Sequence, residues 1–337
     1  MPGSMKRRFP EVLRGFVEAY QRGLAGMGAH SPAWEAGVFD DRLREQLEAR
    51  CDLIQLLRVR SFLDYRRKGL VAARKDDLDS SRREFRRAEE SLQSLRESEA
   101  RLLCESLYCA ALAYLHYRCE QPERSRELVH RALAIDSELE IGLGAGALYG
   151  HRFQLVQNLV HVEARYGDPE SATRIGLAML DQLEGKPNAA PTPHPWSPSD
   201  PDQVPVELRR ALANQIVFEL AAIHLRSHAR GAETRRYAEH IATCRARDEV
   251  LAVESHDWLR FASAVETADL ADAVDLANGY LQRGPGDSPA LWYCVVLQCA
   301  ERLPEHDSEA ARSAASAIQC DRATWLHAPS ILRGPAR

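Results

Sequence analysis

Lysine is nearly missing from this chain: of 44 basic residues only Lys6, Lys68, Lys75 and Lys186 are lysines, and the rest are arginines. The bias reads as codon usage in a GC-rich bacterial genome, although a guanidinium is also the better two-pronged donor to carboxylates. Aromatic residues are scarce at 7%, and Val and Ile seldom alternate with polar residues, so β-sheet has little support. No apolar run approaches the ~20 residues needed to span a bilayer, which excludes a helical membrane protein. The residues Met1 to Met5 read as a cloning remnant with no signal-peptide hydrophobic stretch behind them, so a cytoplasmic location is expected. None of the eight cysteines forms a C-x-x-C pair, and most fall on apolar helix faces, so buried free thiols are expected. There is no G-x-S-x-G elbow, no H-E-x-x-H and no Gly-Lys-Ser/Thr phosphate loop, so no catalytic motif stands out.

The content that remains is Ala- and Leu-rich, 45% hydrophobic and 28% charged, which suits close-packed amphipathic helices rather than disorder. A net charge of −5 argues against a dedicated nucleic-acid coat or a polybasic membrane protein. The stretch from Arg50 to Glu90 is locally basic, but interleaved Asp and Glu at helical spacing account for it by ordinary ion pairing. An RNA-facing or acid-facing surface there is the less simple alternative.

Helical spacing predicts a first helix over Phe9 to Leu24, ended by Gly23, Gly26 and Gly28. A second helix starts at Ser31-Pro32. Cys51 to Leu95 reads as a helix pair, with Asp76, Asp77 and Asp79 as cap candidates between its halves. Further pairs are expected over Leu208 to His228 with Glu233 to Ala246, His256 to Glu266 with Leu270 to Arg283, and Ser288 to Arg302 with Asp307 to Cys320. Seven prolines between Pro187 and Pro205 exclude helix there. The expected organisation is the remnant at 1–5, an N-terminal helical cap at 6–50, and a first helix-pair array at 51–183. A proline-rich loop or linker at 184–207, a second array at 208–327 and a fraying tail at 328–337 complete it.

The strongest pattern runs from Cys104 to Glu140. Leu112-Ala113 falls on one helix and Ala132-Leu133-Ala134-Ile135-Asp136 closes the next. The turn Glu120-Gln121-Pro122-Glu123-Arg124-Ser125 is echoed by Gly167-Asp168-Pro169-Glu170-Ser171-Ala172, 47 residues later, with Gly142 to Gly150 forming most of an insertion between the copies. This resembles the tetratricopeptide-repeat superfamily, whose pattern spans about 34 residues. Leu112 and Ala113 stand on its Leu-Gly signature, His116 stands for a usual tyrosine, Ser125 for a small alanine and Ser137 for the closing proline. The resemblance covers Cys104 to Leu183 best and Ser288 to Asp321 next. It implies an all-α, right-handed superhelical solenoid of about five to six stacked helix pairs. It also implies a noncatalytic adaptor or scaffold that holds a peptide or protein in the groove lined by the first helices.

On that basis the candidate groove residues are Tyr114, Tyr117 and Arg118, then Gln154, Gln157, Asn158, His161 and Arg165, then Asn214, Phe218 and Arg226. The Tyr and Arg members are of the types that dominate binding energy, and the amides can bond a peptide backbone. Some relatives clamp a partner's C-terminal carboxylate. Here Ala110 and Tyr114 stand at two clamp positions and only Asn158 and Arg165 match, so that specialisation is not expected. His224 with His228 and His240 with Cys244 are at metal-chelating spacing, but their depths in a hairpin turning near Gly231-Ala232 do not coincide, so no metal and no cofactor are expected. The alternatives are a regulatory sensor that changes curvature on binding a peptide, an RNA-binding helical protein, and an unrecognised helical enzyme.

Overall fold

The computed structural model describes residues 3–26, 45, 47–48, 51–143, 145–185, 206–227, 253–267, 269–286, 288–325, 328 and 332. The helix expected from Ser31, the proline-rich segment, and the helix Glu233 to Ala246 with His228, His240 and Cys244 lie outside these residues. Within them the protein is all-α, with neighbouring helices packed in pairs and no strand. The helices are α1 (Gly3–Gly26), α2 (Leu53–Arg74), α3 (Leu78–Gln93), α4 (Glu99–Arg118), α5 (Pro122–Leu143) and α6 (Ala145–Tyr166). They continue with α7 (Pro169–Leu183), α8 (Val206–Ser227), α9 (Val253–Thr267), α10 (Leu270–Leu281), α11 (Pro289–Arg302) and α12 (Glu309–Arg322). No helix among the described residues is long and apolar enough to cross a membrane.

The chain divides into two compact units, one formed by Trp34–Pro205 and the other by Met1–Ala33 with Val206–Arg337. Among the described residues the first contains three hairpins, α2–α3, α4–α5 and α6–α7, each packed on the next. Their register follows from the turns. Asp76 and Glu120, 44 residues apart, both take left-handed backbone, at φ 66° and 57°. Each turn carries the same double closure: Asp77 N–H bonds Ala72 O at 3.0 Å and Gln121 N–H bonds His116 O at 2.9 Å, with the preceding amides bonding Ala73 O and Tyr117 O. These bonds satisfy the last carbonyls of α2 and α4. Asp77 then caps α3 by accepting from Ser80 N–H at 3.1 Å, and Asp168 caps α7 by accepting from Ser171 N–H at 3.0 Å. Backbone amides and the neighbouring serines hold both carboxyls below the usual carboxylate range.

The same register makes Gly69 and Ala113 equivalent positions in their hairpins. A Cβ on Gly69 would lie 3.1 Å from the Phe85 ring. Ser81 and Ser125, both buried, each donate to the carbonyl 12 residues earlier, Gly69 O and Ala113 O, at 2.9 Å. The corresponding position in the third hairpin is Ala172. Because the carbonyls are also helix acceptors, losing the hydroxyl leaves no orphan. Ser125→Ala is therefore expected to cost only about 0.5–1.5 kcal/mol in urea unfolding.

The 44- and 47-residue spacings exceed 34 because the helices are long. The α4, α5 and α6 helices span 20, 22 and 22 residues, or about 30 Å each. Gly142 to Gly150, read as an insertion, is not a separate element: α5 runs to Leu143 and α6 begins at Ala145.

The second unit is organised around α11, in which every residue from Leu291 to Ala300 is buried. Helices α8, α9, α10 and α12 pack on it, and α1 packs on α10 and α12. Gly23 does not end α1 as expected; it is buried inside that helix, where an added Cβ would fall 2.2 Å from the Trp292 ring. Glycine is there for close approach rather than termination. Tyr20 donates to Asp321 at 3.0 Å and accepts from Trp325 Nε1 at 3.2 Å. Burial, with the neighbouring Asp321 carboxylate, raises its phenol pKa far above the ordinary value. Ala328 and Leu332, in the segment expected to fray, are buried, and Arg322 Nε donates to Leu332 O.

Among the described cysteines, Cys104, Cys109, Cys294 and Cys299 are buried free thiols, Cys51 and Cys119 are half-buried, and Cys320 is exposed. Burial pushes Cys104 up to about 12 and Cys109 up to about 11, so neither is a thiolate at neutral pH.

Candidate functional site

The C-terminal ends of α4 and α6 bring four of the expected groove residues together. Tyr117 lies 6.2 Å from Tyr114 in a stacked arrangement and 5.6 Å from Tyr166 edge-on. The Arg165 guanidinium sits 5.2 Å from the Tyr117 ring and 4.9 Å from the Tyr166 ring, within cation–π range. Tyr166 donates to Tyr117 O at 3.1 Å, and Arg118 donates to Tyr114 Oη at 3.4 Å. Tyr166 was not singled out from the sequence; its position beside Arg165, at the end of the same helix, was the available signal.

The two arginines also join successive hairpins. Arg118 reaches Asp76 at 2.9 Å and Arg165 reaches Glu120 at 3.4 Å. The carboxylates in these pairs are 72% and 71% exposed, so each pair is worth about 0–1 kcal/mol. A partner carboxylate can displace either one at little cost.

On α6, Gln154, Asn158 and His161 are half-buried and Arg165 is exposed, and they recur along one stripe. Gln157, expected on that stripe, is instead buried at 6% exposure. It lies one position away from Asn158, and a step of about 100° turns it into the helix packing. Asn214, Phe218 and Arg226 belong to α8, in the other compact unit. Asn214 Oδ1 accepts from Ser255 Oγ, Phe218 is half-buried, and the Arg226 side chain is outside the described set. His224 is buried, and no cluster of three or more His, Cys, Asp or Glu placed for a metal occurs among the described residues.

A buried polar network was not foreseen. Asp136, placed by the sequence at the close of the second helix of its pair, is fully buried. It accepts from Ser106 Oγ at 2.6 Å and pairs with His151 Nδ1 at 2.9 Å. Arg152 donates to the Asp136 carbonyl at 2.7 Å and pairs with Glu140 at 2.9 Å. The carboxylate stands between hydroxyl and imidazole, whereas a nucleophilic triad needs the imidazole beside the hydroxyl. This arrangement links α4, α5 and α6 rather than activating Ser106.

Two surface depressions flank α2 and α3. One, of about 430 Å³, lies along Arg67, Lys68, Val71 and Lys75. Arg67 and Lys68 there share Asp64, at 3.5 and 2.6 Å, and Arg82–Asp79 and Arg87–Glu84 pair in the same local way at 3.0 Å. The other is an open groove of about 440 Å³ between α3 and α4, floored by Phe85, Leu112 and Leu115.

In comparisons with family models, with curated proteins and with solved structures, nothing matches this chain.

Proposed function

We propose that the hairpin unit carrying α2 to α7 is a noncatalytic binding module, an adaptor or scaffold that holds a peptide or protein partner. Its hairpins would belong to a right-handed solenoid of tetratricopeptide-like logic, with helices longer than that pattern's own. The observation that carries this reading is the cluster of Tyr114, Tyr117, Tyr166, Arg118 and Arg165. It offers partly exposed tyrosine rings and arginines whose internal ion pairs are weak enough to exchange. The half-buried amides of Gln154 and Asn158 extend the same surface with groups suited to a peptide backbone. The repeated Gly69/Ala113 and Ser81/Ser125 positions support a stacked-hairpin design.

The test is affinity capture from bacterial host lysate, followed by titration of the purified partner against wild type and the Tyr117→Ala/His161→Ala/Arg165→Ala variant. A loss of at least about 30-fold is expected, the equivalent of roughly 2 kcal/mol for removing a binding hot spot. Equal affinity in a correctly folded variant overturns the assignment to this surface.

A further inference from the structure

The groove between α3 and α4 is separate from the tyrosine–arginine cluster, and the chain's own repetition indicates what belongs in it. Its apolar floor is Phe85, Leu112 and Leu115, and its rim carries Arg82, Arg86 and His116. Among the described residues the polar partners of Arg82 are the highly exposed Asp79, at 3.0 Å, and the Cys119 sulfur, at 3.4 Å. Arg86 has no carboxylate partner among the described residues. In the next hairpin the register places Arg126, 44 residues after Arg82, and Glu163, 47 residues after His116. There the guanidinium grips the carboxylate with two nitrogens, at 2.6 and 3.2 Å. Those hydrogen bonds raise the Arg126 pKa above its ordinary value. The packing of α5 on α6 is thus completed by a bidentate arginine–carboxylate pair, the strong form of that interaction. Between α3 and α4 the arginine is retained, the carboxylate is replaced by histidine, and an apolar groove stays open.

We infer that the α3–α4 groove docks an acidic peptide, seating one aliphatic or aromatic side chain on Phe85, Leu112 and Leu115 while a flanking carboxylate takes Arg82 and Arg86. The groove volume suits one such side chain with its neighbours. Charge complementarity selects acidic over basic segments, because two guanidiniums face the opening. This inference rests on the peptide-binding reading but assigns a different surface.

The probe is a fluorescein-labelled Glu-Glu-Phe-Glu-Leu-Glu peptide titrated into the full chain by fluorescence anisotropy. His116→Glu installs the carboxylate that the next hairpin already has, so the groove closes on itself. Binding is expected to fall at least tenfold while helical circular dichroism and melting temperature are unchanged or improved. His116→Gln keeps binding, and Arg82→Gln/Arg86→Gln weakens it at least tenfold. The matching peptide with lysine in place of glutamate does not bind. Equal binding by wild type and His116→Glu overturns the inference, as does absence of saturable binding. Loss of peptide binding in Tyr117→Ala/Arg165→Ala also overturns it, because it moves the peptide to the first-helix surface. A wild type that captures a partner through Tyr117 but ignores the labelled peptide refutes the groove alone; one that does neither refutes both readings.

Discussion

Asp136→Ala is expected to destabilise the protein by about 3–5 kcal/mol, the order seen when one partner of a buried, hydrogen-bonded carboxylate contact is removed and the other is left without it. The carboxyl group is fully buried and holds Ser106 Oγ at 2.6 Å and His151 Nδ1 at 2.9 Å. Truncation strands His151, whose Nε2 already has no hydrogen-bond partner, while Ser106 Oγ keeps its 3.3 Å bond to Ala132 O. The Arg152 bond to the residue 136 carbonyl survives, which limits the loss. The register shows why this site is costly to disturb. The positions equivalent to Ser106 and Asp136 are Phe62 and Leu92 in the hairpin before, and Phe153 and Leu183 in the hairpin after, all buried. An apolar pair fills the place in two hairpins, and a polar pair fills it in the middle one. Asp136→Asn retains an acceptor and is expected to cost less than half as much. Ser106→Ala/Asp136→Leu/His151→Leu removes the three converging side chains and is expected to recover most of the loss, because none of the three then leaves a polar atom unpaired. Urea unfolding of the three variants decides it. A cost below about 1 kcal/mol for Asp136→Ala would show that the carboxyl group is not paired as described.

Helix positions were legible wherever apolar or small residues recur at helical spacing. Leu112-Ala113 and Ala132 marked α4 and α5, and the α9 to α12 segments were visible within a few residues. What stayed hidden depended on partners distant in sequence. Lys68-Gly69 does not look like Leu112-Ala113, so the 44-residue register emerges only from the structure, in the matching turns at Asp76 and Glu120 and the paired bonds of Ser81 and Ser125. Hydropathy assigns an aspartate to the surface, and nothing local to Asp136 reveals that His151 and Ser106 converge on it. Glycine's low helix propensity made Gly23 look like a terminus, because the Trp292 ring it accommodates is contributed by the far end of the chain. Of the candidate site, the Tyr117–Arg165 pairing follows from helix spacing plus hairpin stacking. The α3–α4 groove does not, since its contrast with the next hairpin, where Glu163 stands at the place of His116 and pairs with Arg126, is visible only once the register is known.

That Gly23–Trp292 contact supports the other large expectation. Trp292→Ala should cost about 3–5 kcal/mol, as for other fully buried aromatics. Trp292 has no exposed surface, stacks with Tyr20 at 5.9 Å and meets Tyr293 edge-on at 5.4 Å. Its indole N–H has no hydrogen-bond partner, so the loss is packing alone. Gly23→Ala should destabilise as well, by about 1–3 kcal/mol, because the new methyl would overlap a ring enclosed on all sides. The decisive variant is the double one. Once Trp292 is alanine, the methyl at position 23 enters a cavity instead of a ring, and alanine is the better helix former. The cost of Gly23→Ala should therefore vanish or reverse sign in the Trp292→Ala background, giving a coupling of about 1–3 kcal/mol between the two sites. Additive losses would mean that Gly23 is required for the backbone of α1 itself, and that the ring is not what selects glycine there.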